Sequence, residues 1–399
     1  MAAPRPFRRD RLSVRGSRSG PSTEDHRTPI FGIDVPDRCA RGSVISRRVL
    51  LQALLTAGTA GGAAGPARSR NQPFHVPSEA APHARTFMQW PASRAVYRDA
   101  GHREAVQRTI AAIANRIVDF EPVAMLAAGD LHASARRLLS AAVTLWDIET
   151  EDLWCRDSGP LFARDAEGRL VVQHLRFNGW GGKQVHASDS RIAAAVARRL
   201  GLPLIETGLT GEPGGVIHDG AGTLIAHASC WANGNRNALP RNVIAERLAQ
   251  AYGARQVVWA PGLAGHDITD FHIDSLARFS APGRVLFQHD ATAPPEDPFA
   301  AAAARTRTVL EAAGFDLVLL PTPAQPRIAD HAFVASYANY YLCNGALVVA
   351  AFGDAAADEE AQAVLAREFP DRELIAVDAD ELGLLGGGVH CATQQQPGS

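Results

Sequence analysis

Residues 110–126, IAAIANRIVDFEPVAML, hold the pattern that decides the fold: a segment of helical period, a short turn and an apolar run. Apolar residues recur at helical spacing up to Ile117, and the β-rich run Val123–Leu126 follows. This helix-then-strand order is typical of chains that alternate helices with strands. The same order returns downstream at residues 192–205, 243–259, 308–320 and 361–377.

Turn residues separate the pairs of strands that lie between these units. Asp219-Gly220 and Asn344-Gly345 are strong hairpin signals, and Ala281-Pro282-Gly283 is consistent with a turn. Five helix–strand units with hairpins between them predict an α/β fold of ββαβ-type repeats that closes into a five-bladed, pseudo-symmetric propeller. An ordinary α/β sheet with insertions would show the same periodicity.

The composition narrows the classes of protein to which this chain can belong. The 399 residues are 46% hydrophobic, which suits one large or two modest domains with a proper core. The net charge of −2 argues against a general affinity for nucleic acid. The five cysteines form no C-x-x-C pair, which argues against a zinc ribbon or a thioredoxin-type motif.

The N-terminal part of the chain is predicted to carry an export signal. Residues 1–43 have no apolar period, so we expect a disordered extension or a start codon assigned too early. Arg47-Arg48 precedes a short Ala/Gly-rich run, so residues 44–67 are interpreted as a twin-arginine signal rather than a chance Arg pair. The run is too short and glycine-rich for stable membrane insertion. Residues 68–80 are expected to be a linker and 81–399 the catalytic domain, located in the periplasm or secreted.

Two acids stand in conspicuous motifs. Asp157 lies in WCRDSGP at residues 154–160, after a predicted strand over 143–148. Glu212 precedes Pro213-Gly214-Gly215. Taken alone, an Arg–Asp pair is usually structural and an acid before glycines is usually a solvated turn.

A histidine and a cysteine are stronger candidates for chemistry. Strand alternation predicts that His272 and Asp274 share one face, where the carboxylate can orient the histidine for proton transfer. The pair would also suit a metal, but no third ligand with recognisable spacing accompanies it. Cys391 follows three glycines and precedes polar residues, which favours it as a nucleophile over Cys230 and Cys343 in apolar strands.

These clusters resemble the agmatine deiminase family and its bacterial-type peptidyl-arginine deiminase relatives, over about residues 85–397. The resemblance is carried by MQWP at 88–91, WCRDSGP at 154–160, FNGWGGK at 177–183, DGAGTL at 219–224, NRN at 235–237, HID at 272–274, ASY at 335–337, FGD at 352–354 and GGGVHCATQQQP at 386–397. It implies a five-bladed α/β propeller of the pentein type, with a Cys/His/acid active site and neither metal nor cofactor. The catalytic residues that it implies are Cys391, His272, Asp157 and Asp274, and the substrate-binding residues are Trp90, Glu212 and Trp180.

The resemblance implies hydrolytic deimination of a small cationic guanidino substrate. Agmatine would give N-carbamoylputrescine and ammonia, a step of polyamine biosynthesis, through a thiouronium adduct on Cys391. The alternatives are a secreted deiminase acting on arginine-containing peptides, an amidinotransferase, and an inactive exported binding protein on the same scaffold. No nucleic-acid partner is expected, and a homodimer is compatible with the resemblance.

The chain departs from the family pattern in three places, and one lysine stands out. Pro213 replaces a glycine of the usual E-G-G, residues 268–271 replace a more acidic loop near the substrate entrance, and Gly388 replaces an asparagine, which predicts a looser turn before the nucleophile. Lys183 is the only lysine beside 39 arginines. We expect it to set the loop that borders the site by binding a backbone carbonyl or an aspartate.

Overall fold

The computed structural model describes residues 73–288, 290, 293–294, 296–330 and 332–398, so the predicted extension and twin-arginine signal lie outside the described residues. The described residues fall within one compact unit, Ala64–Ser399. Phe74–His75 form a strand that pairs with Leu161–Asp165, so the folded body begins before the predicted boundary at residue 81. No helix of this described part is long and apolar enough to cross a membrane.

The described strands form five sheets, and each contains an antiparallel pair and a parallel pair. In their order across each sheet, the strands are Phe74–His75, Leu161–Asp165, Leu170–His174 and Leu204–Glu206; Gln256–Ala260, Thr223–His227 and Val216–His218; Ala277–Ala281, Arg284–Gln288 and Asp316–Leu320; Tyr341–Cys343, Ala346–Ala350 and Glu373–Val377; and Thr393–Pro397, His83–Gln89, Val123–Ala127 and Thr144–Asp147.

A longer helix connects a pair of parallel strands in every sheet. These helices are Ala100–Ile117, Ile192–Leu200, Arg241–Tyr252, Pro298–Ala312 and Ala355–Glu368. Short helical turns are His132–Ala135, Cys155–Ser158, Gly179–Gly182, Ala228–Trp231 and Asp380–Leu384, and 3₁₀ turns are Gly129–Leu131, Asp189–Arg191, Pro213–Gly215 and Ile273–Ser275. The helices and strands read from the periodicity are therefore observed, and the mixed α/β class is confirmed.

The helix Ala100–Ile117 shows how local sequence builds such a unit. Asp99 caps the helix because its Oδ1 accepts a hydrogen bond from the His102 backbone N–H at 2.7 Å. Ile110, Ile113 and Ile117 lie on one face at helical spacing and are fully buried in the largest hydrophobic cluster. Each such side chain contributes about 1.5–3 kcal/mol by leaving water. The strand that follows is buried at every position, which is typical of a strand covered on both faces.

The predicted turns are confirmed, and the C-terminal strand pairs with a strand from the N-terminal part of the described residues. Asn344-Gly345 joins two antiparallel strands, and Gly345 has φ +75°, a conformation that costs glycine little. The C-terminal strand Thr393–Pro397 pairs antiparallel with His83–Gln89. This pairing anchors the backbone two residues after Cys391.

Candidate active site

A cavity of about 560 Å³ brings together residues from distant parts of the chain. Its lining includes the four predicted catalytic residues and the predicted contact residue Trp180. Among the residues that the structure describes, no group of three or more His, Cys, Asp or Glu is arranged to hold a metal ion.

Cys391 is held by an asparagine that the sequence analysis missed. The Asn339 side chain donates to Cys391 Sγ at 3.1 Å and accepts from the Cys391 backbone N–H at 3.2 Å. A Cβ at Gly388 would lie 2.6 Å from Asn339 Oδ1, so the glycine is what allows this approach. The turn before the nucleophile is therefore clamped rather than loose. The signal was available, because Asn339 lies two residues after the ASY motif at 335–337.

Asp157 presents an unpartnered oxygen beside the cavity. The short helical turn Cys155–Ser158 carries it, and its Oδ2 accepts a hydrogen bond from Trp180 Nε1 at 2.9 Å. Its Oδ1 is buried without a hydrogen-bond partner among the described residues. Burial, reinforced by the charges of Asp274 and Glu212, raises the pKa of Asp157 to about 6.

Asp274 is arranged in the same way. Its Oδ2 lies 2.7 Å from His390 Nδ1 and accepts from Cys391 Sγ at 3.5 Å, while its Oδ1 is buried and has no partner in the described part of the chain. Burial alone would raise the pKa of Asp274, but His390, His272 and Arg278 outweigh it and lower the pKa. Asp157 and Asp274 thus each keep one free acceptor for N–H donors entering the cavity.

His272 lies between two carboxylates, but not on a strand. Its Nδ1 is 3.6 Å from Asp157 Oδ1, and its Nε2 is 3.3 Å from Glu212 Oε2. The strand prediction for this segment was wrong, because Ile273–Ser275 form a 3₁₀ turn that follows two residues of positive φ. Burial opposes the charged ring, yet Asp157, Glu212 and Asp274 raise the pKa of His272 to about 9.

The EPGG motif places Gly214 against three polar groups of the site. Pro213 occupies the first position of the 3₁₀ turn Pro213–Gly215, where its missing N–H is not needed. A Cβ at Gly214 would lie 2.6 Å from Asp157 Oδ1, 2.8 Å from His272 Nδ1 and 3.2 Å from the Asp274 carboxylate. Only a glycine lets these three groups converge.

Two predicted substrate contacts lie away from the cavity lining. Glu212 is buried behind His272, where Arg236 Nε donates to both of its oxygens at 2.9 Å. It therefore orients the histidine instead of facing the cavity. Trp90 is 1% exposed and lies in the hydrophobic core. Trp154, and not Trp90, lines the cavity.

The charged side chains that line the cavity are mainly acidic. No arginine or lysine is among its described lining residues. Burial, together with the negative charges of Asp274 and Asp157, raises the pKa of the Cys391 thiol well above its ordinary value. A bound cation would reverse the electrostatic part of this shift and favour the thiolate.

Lys183 fastens the loop that carries His272. Its Nζ lies 2.8 Å from Asp270 Oδ2 and donates to the carbonyls of Asp267 and Ile268 at 3.2 and 3.1 Å. The predicted binding of Lys183 to a carbonyl and an aspartate is confirmed. The predicted position of residues 268–271 near the entrance is also supported, because Ile268, Thr269 and Phe271 line the cavity.

Lys183→Arg is expected to lower kcat/KM several-fold while leaving its pH dependence unchanged. A planar guanidinium cannot satisfy one carboxylate and two converging carbonyls as a compact ammonium does. Steady-state kinetics across pH check this. Wild-type kinetics in a variant of unchanged Tm would contradict the positional role.

This chain is similar to known proteins in sequence and in fold. The model of the Porphyromonas-type peptidyl-arginine deiminase family matches residues 75–397. An agmatine deiminase of Medicago truncatula is 33% identical, with 81% of this chain and 96% of the relative covered. One of Stutzerimonas stutzeri is 32% identical, covering 82% and 96%. The solved structure of the agmatine deiminase of Enterococcus faecalis superposes with a TM-score of 0.75 at 24% identity, covering 83% of this chain and 99% of that one.

Proposed function

Because this chain belongs to the Porphyromonas-type peptidyl-arginine deiminase family, we propose that it is a hydrolase that deiminates agmatine to N-carbamoylputrescine and ammonia. One observation carries the proposal: two carboxylate oxygens in the cavity beside Cys391, Asp157 Oδ1 and Asp274 Oδ1, have no hydrogen-bond partner among the described residues. The first of them lies 3.6 Å from the His272 ring, which leaves it able to accept from a bound N–H group. A guanidinium presents planar N–H donors that can satisfy both oxygens and aim its carbon at the sulfur.

The reaction uses only groups of the cavity. The bound cation offsets the charges of Asp157 and Asp274, so Cys391 ionises and its thiolate adds to the guanidinium carbon. His272, held as imidazolium by the carboxylates around it, gives its proton to the leaving nitrogen, and ammonia departs. The neutral ring then takes a proton from water, whose oxygen attacks the thiouronium carbon. Collapse of that adduct passes its hydroxyl proton to the departing sulfur and releases the ureido product and the Cys391 thiol. The thiol gives this proton to solvent when the next cation binds and Cys391 ionises.

The lining favours a substrate without a free α-carboxylate. Such a carboxylate needs a cationic partner, and none of the described lining residues is an arginine or a lysine. Asp267 and Asp297 add negative charge to this lining and suit a substrate with a second positive end. Agmatine fits both features, whereas free arginine has a second positive group but brings an α-carboxylate for which the lining offers no arginine or lysine.

A peptide is the second candidate substrate. Leu384 lines the cavity although 41% of it is exposed, and Phe333 and Leu385 line the cavity with it. An exposed apolar border of this kind could contact residues flanking an arginine in a chain. The deciding experiment measures ammonia and ureido product from agmatine, arginine and a blocked arginine peptide. We expect the highest kcat/KM with agmatine; turnover of arginine alone would contradict the proposal.

The pH profile of kcat/KM is expected to change slope near 6 and near 9, on top of the rise that ionisation of the Cys391 thiol adds while that thiol is protonated in the free enzyme. Below about 6 the Asp157 carboxyl gains a proton and loses its grip on the cation. Above about 9 His272 loses the proton that ammonia needs to leave. These changes of slope report the free enzyme, so they should appear in kcat/KM. A profile that keeps rising above pH 9 would exclude His272 as the acid.

The five sheets are proposed to close as a five-bladed α/β propeller of the pentein type. The parallel strands joined by a helix in every sheet support this arrangement. So does the pairing of the C-terminal strand with His83–Gln89, since it joins segments from opposite ends of the described sequence in one sheet. The cavity would then lie where loops of several blades converge.

Export through the twin-arginine pathway remains a proposal, supported by the Arg47-Arg48 pair and the run after it. Changing both arginines to lysine is expected to leave the precursor in the cytoplasm. Cell fractionation with immunoblotting checks this, and unchanged periplasmic recovery would show that residues 44–67 are not the signal.

A further inference from the structure

A second histidine beside the nucleophile has carboxylates at both ring nitrogens. His390 is 1% exposed, and its Nδ1 lies 2.7 Å from Asp274 Oδ2. Its Nε2 lies 3.2 and 3.1 Å from the two oxygens of Glu79. The deimination chemistry uses neither His390 nor Glu79. A buried histidine and a half-buried glutamate therefore lie in series behind Asp274, which is proposed to bind the substrate.

Glu79 is fixed in its charged form. Arg278 Nη2 contacts one carboxylate oxygen, and Arg156 Nη1 donates to the other at 3.3 Å. Burial would raise its pKa, but Arg278, His390 and Arg156 outweigh burial and hold the pKa well below its usual range. The same arginines oppose a charge on His390, whose pKa burial lowers. Glu79 and Asp274 oppose this shift and favour the protonated ring, the form that donates to both carboxylates at once. Arg156 and Arg278 keep Glu79 in place.

Glu79 comes from the segment 74–81, here termed the N-terminal strap. The strap is fastened to the body at both ends, because Val76 donates to the Tyr252 carbonyl at 3.0 Å and Arg372 donates to the Ala80 carbonyl at 2.7 Å. Glu79 does not line the active-site cavity. It lines a second cavity of about 680 Å³ together with Arg278, so Glu79 acts on the reaction only through the residues it contacts, and of these His390 is the one bonded to Asp274.

We infer that Glu79 is a positioning residue that acts through His390: it fixes the Asp274 carboxylate with Oδ2 beside Cys391 and Oδ1 free for the guanidinium. The inference rests on the proposed function for its kinetic part. With Glu79 present, the ring is held at Nε2 and cannot turn away from Asp274. Without Glu79, His390 is no longer a fixed partner for Asp274 Oδ2. The carboxylates of Asp157 and Asp274 then no longer orient the guanidinium carbon toward Cys391.

The test compares two Glu–His pairs in the full chain. Glu79→Gln and His390→Gln disturb the pair behind Asp274. Glu121→Gln and His83→Gln are the matched controls, because His83 Nδ1 and Glu121 Oε1 form a buried pair 3.1 Å apart that does not line the active-site cavity. For each variant we would measure Tm, kcat and KM with agmatine, and the pH dependence of Cys391 alkylation by iodoacetamide, with Cys391→Ser as the blank.

Glu79→Gln and His390→Gln are expected to raise KM at least about tenfold and by more than they lower kcat, because the substrate grip is misaligned. The alkylation midpoint should move down by roughly one pH unit, since a displaced Asp274 no longer raises the pKa of Cys391. The controls should lower Tm without either change.

Equal kinetic and alkylation effects in both pairs, or none in Glu79→Gln, would overturn the inference. If Glu79→Gln fails to fold, His390→Gln decides, because it leaves the ion pairs of Glu79 with the arginines intact. If the wild type deiminates no guanidino compound, the proposed function fails, while the alkylation profile still tests whether Glu79 acts on Cys391.

Discussion

Cys391→Ser should abolish deimination while leaving the protein folded, with kcat reduced on the order of 10⁶-fold, as removal of a nucleophile reduces it in other hydrolases. A serine hydroxyl fits the space of the thiol, and Asn339 can still donate to it. It cannot ionise between Asp157 and Asp274, which already raise the pKa of the more acidic thiol. Ammonia release with agmatine and a Tm measurement check the two halves of this expectation.

Cys343→Ala is the matched control. Cys343 is a free, fully buried thiol in the strand Tyr341–Cys343, away from the cavity. Burial first, and then Glu121, raise its pKa to about 12, so it is inert near neutral pH. The control should keep most of the wild-type kcat. Near-normal turnover in Cys391→Ser would assign the nucleophile to another residue.

Gly214→Ala is the second change with a large expected effect, a loss of about 10²-fold or more in kcat/KM. The new methyl would meet Asp157 Oδ1 at 2.6 Å and His272 Nδ1 at 2.8 Å, so both groups must move. It would also occupy space beside the free Asp157 oxygen that the guanidinium needs. Steady-state kinetics with agmatine measure the loss.

Gly234→Ala controls for the change of glycine to alanine itself. A Cβ there meets no atom within 4 Å, and Gly234 is not among the glycines with positive φ. Wild-type kinetics are expected for this variant. If the two alanine variants behaved alike, the convergence of Asp157 and His272 at Gly214 would not be what the reaction depends on.

The individual helices, strands and turns of the fold could largely be predicted from local sequence patterns. The helix and strand of residues 110–126 and the turn at Asn344-Gly345 follow from spacing and turn chemistry, and both are observed. His272–Asp274 could not be read in the same way. A histidine and an aspartate two residues apart suit a strand as well as a 3₁₀ turn, and the positive φ of Asp270 and Phe271 is stabilised by distant partners.

The residues that surround the nucleophile were hidden by their distance along the chain. Asn339 lies 52 residues before Cys391, and Glu79 lies 311 residues before His390. Asn339 lies close to the ASY motif but outside it, and Glu79 stands in no pattern with a chemical meaning of its own. Trp90 shows the converse: it stands in a family motif, but packing in the core explains its position. Motifs thus located the site, while long-range packing assigns the supporting residues.

The central claim is that Cys391 forms a covalent adduct with the guanidinium carbon. The most direct measurement is peptide mapping by mass spectrometry after acid quench of the enzyme during turnover of agmatine. We predict that the peptide containing Cys391 carries the mass of the substrate less ammonia, and that this adduct disappears when agmatine is exhausted. Unmodified Cys391 at full turnover, or an adduct on a different residue, would contradict the claim.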